Sequence, residues 1–245
     1  MRKVYIVPNF ITTANMFCGF YSVIASIQKD FTTAAWAIIA AAVFDMMDGR
    51  IARLAKATSR FGVEYDSLSD LISFGFAPAI LLFQWALSPF GRIGWLASFL
   101  FLVCGALRLA RFNVNTAMIR KAYFQGLPIP MGAGVAATLV IFCQALEFTM
   151  SQTIIVPILT LSLASLMIST IPFPSFKELN WRSRTSFGYL ILGVLIMILI
   201  AVRPEVTLFL ILTFYVAVSL IWNLFRLAMG KPVRARYEIN HESDT

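Results

Sequence analysis

The stretch "AAWAIIAAAVFDMMDGRIAR", Ala34 to Arg53, begins as ten apolar residues suited to lipid and ends on two aspartates and two arginines. Its first half bears on the class of fold, its second half on chemistry. An apolar run beside charge can belong to a soluble core or to a membrane helix, and the rest of the chain decides between them. Of 245 residues, 59% are hydrophobic and only 13% are charged, and the mean hydropathy is +0.80. A soluble domain of this length needs a polar surface that these residues cannot supply, so the apolar excess faces hydrocarbon. The chain reads as all-α, a polytopic membrane helical bundle.

Apolar runs of about 20 residues place eight transmembrane helices, at Pro8–Ile27, Thr33–Met47, Leu68–Leu87, Ile93–Arg111, Ile129–Phe148, Thr153–Ile171, Ser186–Val202 and Val206–Phe225. The first carries Pro8 and Asn15 and precedes no small-residue cleavage signature, so it is expected to be a retained helix rather than a signal peptide. With the helices numbered, only Lys29, Arg92 and Arg203 of the twenty basic residues fall on one side, and the other seventeen fall opposite. Such a bias predicts that both termini and the second, fourth and sixth loops are cytoplasmic. The net charge of +8 is then explained by topology and attraction to lipid headgroups, and no nucleic-acid partner is expected. Cys18, Cys104 and Cys143 lie in separate apolar helices without metal-type spacing and read as packing residues. His241 belongs to a polar tail. The chain reads as one integral membrane domain, 1–228, followed by a polar cytoplasmic tail, 229–245.

Five of the twelve acidic residues, Asp45, Asp48, Glu64, Asp66 and Asp70, fall within 26 positions, in or beside segments that otherwise read as membrane helix. Ionisable groups there are costly and mark a functional site by default. The bland reading pairs them with Arg50, Arg53 and Arg60 at helix ends. Spacing weakens it: Asp45 and Asp48 are i, i+3, and Asp66 and Asp70 are i, i+4, so each helix would present two carboxylates on one face. The helices flanking this loop run antiparallel, and their ends can come side by side. Four facing carboxylates repel unless divalent cations intervene, and an all-oxygen set suits Mg²⁺ or Mn²⁺, with room for two ions. Gly49, Ala52 and Gly62 fall on or near the carboxylate faces, where small residues admit either a ligand or a neighbouring helix. Arg53 lies one turn beyond Gly49, placed to pair with a phosphate. Metals, a small-residue floor and an arginine together describe a diphosphate site.

Asp45, Asp48, Gly49, Ala52, Arg53, Gly62, Asp66 and Asp70 form D-x2-D-G-x2-A-R-x8-G-x3-D-x3-D, which resembles the complete signature of the CDP-alcohol phosphotransferase family. The resemblance implies a membrane enzyme that moves the phosphoryl-alcohol half of a CDP-alcohol onto a second alcohol and releases CMP. It also implies that Asp45, Asp48 and Asp66 are metal ligands, that Asp70 is a ligand and the general base, that Gly49, Ala52 and Arg53 line the cytidine diphosphate site, and that the protein is a homodimer. "VPNFITTANMFCGFYS" from Val7, "FGFAPA" from Phe74, "LRLARFNV" from Leu107 and "FQGLPIPMGAG" from Phe124 resemble the branch that transfers the phosphatidyl group of CDP-diacylglycerol to L-serine. With the signature they place the catalytic core at about 7–134.

The acceptor is the harder reading. Arg108, Arg111 and Asn113 end the fourth helix level with the carboxylates; they are either positive-inside flanks or a fork for the serine carboxylate or a lipid phosphate. Arg120 and Lys121 could serve a phosphorylated acceptor, which keeps glycerol 3-phosphate and inositol phosphate as alternatives. Thr12 and Asn15 either approach the CDP-lipid or bond to another helix. "STIPFPSFKELNWRSR" from Ser169 reads as an interfacial loop. A divalent-cation transporter is the reading from another class, and it would need acidic groups in several helices near the midplane; the helices beyond the cluster are nearly free of carboxylates, with only Glu147 and Glu205 near their outer ends. A non-catalytic lipid-binding scaffold would hold the acidic set without a use for it.

Overall fold

The computed structural model describes residues 6–54, 59–115, 123–148, 153–174 and 187–229. Lys56, Arg120, Lys121, the segment 175–186 and the tail from 230 lie outside the described residues, as do the side chains of Ala52 and Arg53. The described residues form eight helices: α1 (Ile6–Ile27), α2 (Phe31–Leu54), α3 (Arg60–Phe90), α4 (Arg92–Asn115), α5 (Ile129–Ala145), α6 (Ile155–Ile168), α7 (Phe187–Val202) and α8 (Pro204–Ala228). Five of them, α1 to α4 and α8, are long and apolar enough to cross a membrane, and α5, α6 and α7 are shorter apolar helices. Large apolar side chains are bare along the bundle, among them Phe10, Phe17, Phe99, Phe214 and Trp222. Water would penalise that surface and hydrocarbon accepts it, so this is a multi-pass membrane protein.

Two boundaries differ from the hydropathy reading. Helix α2 runs through the charged stretch to Leu54, and α3 starts at Arg60 rather than Leu68. Charge ends an apolar run but does not end a helix, because Asp, Arg and Ala all continue one at little cost. Asp30 and Ser59 supply the starts. Asp30 Oδ1 accepts from the Thr33 N–H at 3.1 Å, and Ser59 Oγ accepts from the Gly62 N–H at 3.0 Å, the side-chain caps that orphan N–H groups require. The four motif carboxylates therefore all sit on helices. A second difference is a two-stranded antiparallel ribbon, β1 (Tyr123–Gln125) with β2 (Pro172–Pro174), outside the helices, in register Tyr123↔Pro174, Phe124↔Phe173 and Gln125↔Pro172. Asn223 of α8 donates to the Pro172 carbonyl at 3.0 Å and holds the ribbon against the bundle.

Packing relies on small residues. Ala34, Ala35 and Ala41 are fully buried on α2, and most of α5 is buried, from Ile129 to Cys143. Where α3 and α4 meet, a Cβ on Gly105 would lie 2.6 Å from Ile129 Cδ1 and 3.9 Å from the Gly75 Cα, so the glycines let three helices meet at one point. Gly126 has φ +73°, and a Cβ there would strike the Met167 carbonyl oxygen; only glycine fits. Helix α3 is not regular. It passes through two wide turns, at Leu71–Phe76 and Phe83–Leu87, where the backbone bonds span five residues instead of four. The first opens directly after Asp70, and such turns recur at functional sites.

Candidate active site

The end of α2 and the start of α3 bring their carboxylates together. Asp45, Asp48 and Asp66 each place an oxygen within 4.8 Å of the others. Asp70 lies one turn deeper, within hydrogen-bond reach of Asp45. The cluster thus holds two acids from each helix, as i, i+3 and i, i+4 spacing requires. Asp48 is buried, and Asp66 Oδ1 is buried with no hydrogen-bond partner among the described residues. A carboxylate oxygen in that condition is costly unless a cation completes it. The donors fit a hard divalent ion, being all oxygen, anionic and convergent, and among the described residues no Cys or His belongs to the group.

The first helix supports this cluster. Thr12 Oγ1 donates to Asp48 Oδ2 at 2.7 Å, and Asn15 Nδ2 donates to Asp70 Oδ1 at 3.3 Å. Both side chains thus bond to another helix. Asn15 Oδ1 is also buried and unpartnered among the described residues. The glycines divide. A Cβ on Gly49 would meet nothing within 4 Å, so that turn of α2 is open to a ligand, whereas one on Gly62 would sit 3.2 Å from the Ser59 oxygen that caps α3. Ala52 and Arg53 follow Gly49 on the last turns of α2.

On α4 the three candidates for the acceptor part company. Arg108 is only 7% exposed, its Nε has no hydrogen-bond partner among the described residues, its guanidinium carbon lies 5.7 Å from the Phe112 ring centre, and it interacts electrostatically with Asp70. Arg111 donates to the carbonyls of Ile168 at 2.8 Å and of Met167 and Ser169 at 3.2 Å, which caps the C-terminus of α6 with a cation. Asn113 donates to Ser67 Oγ at 2.9 Å. It lines a groove of about 230 Å³ with Glu64, Leu68 and Leu71 of α3 and Leu109 of α4, on the face of α3 turned away from Asp66 and Asp70. Arg111→Ala is expected to cost about 1–3 kcal/mol of stability. An equal rise in the requirements for both substrates is the result expected of the cap alone, and a larger rise in the acceptor requirement is the result expected if Arg111 reads the acceptor carboxylate.

Sequence reading missed Ser69, Ser73 and Gly19. Ser69 Oγ donates to the Thr12 carbonyl at 3.0 Å, and Ser73 Oγ donates to the Asn15 carbonyl at 2.9 Å. The available signal was position, since each serine lies three residues after a motif aspartate. Among the described residues the carboxylates outside the cluster are Asp30, Glu64, Glu147 and Glu205, none of them buried, so no second set of buried acids lines a path through the bundle.

Comparison with known proteins identifies the family. Residues 5–171 match the model of the CDP-alcohol phosphatidyltransferase family. The chain belongs to that family. Among its relatives, the CDP-diacylglycerol–serine O-phosphatidyltransferase of Helicobacter pylori strain 26695 is 36% identical over 231 residues, 92% of this chain and 94% of that protein. The protein of the same name from Bacillus subtilis is 37% identical over 70% of this chain and 92% of its own length. The one from Methanocaldococcus jannaschii is 35% identical over 73% of this chain and 78% of its own.

Proposed function

We propose that this protein transfers the phosphatidyl group of CDP-diacylglycerol to the hydroxyl of L-serine, giving phosphatidylserine and CMP. The observation that carries the reading is the convergence of Asp45, Asp48, Asp66 and Asp70 from two helices within a complete family motif, and relatives that match most of the chain bear the name of this activity. The four aspartates would hold one or two divalent cations, Mg²⁺ or Mn²⁺. Such cations supply positive charge to a diphosphate and to the departing phosphate oxygen.

The residues of the chain do the rest. Gly49 and Ala52 leave room for the diphosphate against the backbone of α2, Arg53 pairs with a phosphate, and Gly62 keeps the opening turn of α3 tight beside it. Asn15 offers to the CDP-lipid its Oδ1, which has no hydrogen-bond partner among the described residues. Asp70, deepest of the four, takes the proton of the acceptor hydroxyl as its oxygen bonds to phosphorus, since that hydroxyl has a pKa far above 7. The bond from phosphorus to the CMP oxygen breaks, and CMP leaves with the electron pair. Direct displacement is favoured because Ser69 and Ser73 are committed to backbone carbonyls and no activated nucleophile lies beside the acids among the described residues. Arg108, buried near Asp70, is assigned to the serine carboxylate.

We assign the organisation of the notable segments in the same way: one membrane domain over 1–228 with its core at about 7–134, a tail over 229–245, α5 to α7 spanning with the other five helices, and a homodimer. The seventeen-to-three distribution of basic residues supports cytoplasmic termini and a site facing the cytoplasm. The test is CMP release by the purified protein with CDP-diacylglycerol and Mn²⁺ or Mg²⁺, comparing L-serine, glycerol 3-phosphate and inositol phosphate. Release with serine alone, abolished by EDTA, is the expected result. Release with another acceptor would overturn the serine assignment, and no release with any would overturn the transferase reading.

A further inference from the structure

Two residues of α1 reach carboxylates on two different helices. Thr12 bonds Asp48 of α2, and Asn15 bonds Asp70 of α3. The same two residues are gripped from behind, because Ser69 donates to the Thr12 carbonyl and Ser73 to the Asn15 carbonyl. All four polar residues are buried. One turn further, a Cβ on Gly19 would lie 2.6 Å from the Ser73 Cα, so α1 and α3 touch backbone to backbone at the wide turn that follows Asp70. Thr12, Asn15 and Gly19 make one stripe of α1, and Ser69 and Ser73 lie on the acid-bearing side of α3.

The arrangement exceeds what helix packing alone requires. Two helices can associate through a glycine contact without any buried hydroxyl or amide. Here each buried donor ends either on a motif carboxylate or on the carbonyl of the residue that holds one. An aspartate has free rotation about two bonds, and a buried donor on one oxygen selects one rotamer and leaves the second oxygen for another partner. Ligand carboxylates are commonly oriented by such bonds, and losing one typically weakens metal binding about 10–100-fold.

We propose that α1 is the positioning element of the metal centre: Thr12 and Asn15 set the rotamers of Asp48 and Asp70, and the Ser69, Ser73 and Gly19 contacts fix the register of α1 against α3. Toward the metal, Thr12 and Asn15 (through its Nδ2) are positioning residues, acting through the acids. The proposal rests on the metal-dependent transferase reading, and its test separates the two. Mn²⁺ binding to the purified full-length protein in detergent is measured by the loss of the free-ion EPR signal, with no lipid substrate present, and CMP release is then followed as a function of Mn²⁺.

Thr12→Val keeps the shape of the side chain and removes the donor. It is expected to weaken Mn²⁺ binding about 10–100-fold and to regain most of the wild-type rate at saturating Mn²⁺, while Thr12→Ser restores the affinity. Ser73→Ala, which touches no carboxylate, should weaken binding in the same direction by less, and it serves as the second variant should Thr12→Val fold poorly. Wild-type Mn²⁺ affinity in folded Thr12→Val, or in folded Ser73→Ala where Thr12→Val does not fold, would overturn the proposal. Wild-type protein that binds no Mn²⁺ would overturn the metal-dependent reading beneath it, and the proposal with it.

Discussion

Asp66→Asn is expected to lower CMP release by about 10³-fold or more, the scale of losing one strong electrostatic stabiliser of a transition state, while the protein still folds and inserts. The side chains are nearly isosteric, so the packing of α3 is kept. What changes is the oxygen that lies buried without a hydrogen-bond partner among the described residues. Asp66 is also the acid of α3 that groups with Asp45 and Asp48 of α2, so losing its charge takes the α3 member out of that group. Thermal unfolding in detergent gives an independent reading. Ligand that binds only the folded state stabilises it in proportion to RT ln(1 + [L]/Kd), so wild-type protein should gain stability with Mn²⁺ and Asp66→Asn should gain far less. Without metal the variant should be at least as stable as wild type, because one of several like charges held close together is gone. Near-normal turnover by a folded Asp66→Asn would remove Asp66 from the metal site.

The same residue shows what can be read from the chain and what cannot. Asp66 and Asp70 are four apart and Asp45 and Asp48 three apart, so the convergence of acids followed from helical spacing and an antiparallel connection. The eight helices followed from apolar runs, although the runs placed the end of α2 and the start of α3 inside a loop. Hydropathy registers where a helix leaves lipid, not where its backbone bonds stop. The ribbon of β1 and β2 escaped because three-residue strands, one of them Pro-Phe-Pro, carry no alternating pattern. The wide turns of α3 escaped because they depend on what packs there, including the approach of Gly19 to Ser73. Partners of buried polar groups are long-range facts: Thr12 and Asp48 are 36 positions apart, and Asn15 and Asp70 are 55 apart. The acceptor candidates were the least legible part. Arg108 and Arg111 have the same type and lie one turn apart on one helix, yet one caps α6 and the other does not.

That division between the arginines is the basis of the second expected result. Arg108→Gln should lower kcat/KM for serine about 10–100-fold, the equivalent of about 1.5–3 kcal/mol for hydrogen bonds to a charged group, chiefly through the KM for serine, and leave the KM for CDP-diacylglycerol nearly unchanged. A buried guanidinium such as that of Arg108, whose Nε has no partner among the described residues, is expensive in a membrane protein, and its cost is offset in the complex if an anion docks on it. Serine carries such an anion in its carboxylate, which a planar guanidinium binds with two parallel bonds. Arg108→Lys should recover little, because an ammonium keeps the charge but not the fork. Ethanolamine provides the complementary measurement, since it has the reacting hydroxyl and the amine without the carboxylate. A site built to bond a group discriminates strongly against an analogue that lacks it, so wild-type protein should reject ethanolamine and Arg108→Gln should narrow the gap between the two acceptors. If the substitution instead raised both KM values together and left the acceptor preference intact, Arg108 would be balancing the charge of Asp70 and its neighbours, and the serine carboxylate would need another partner.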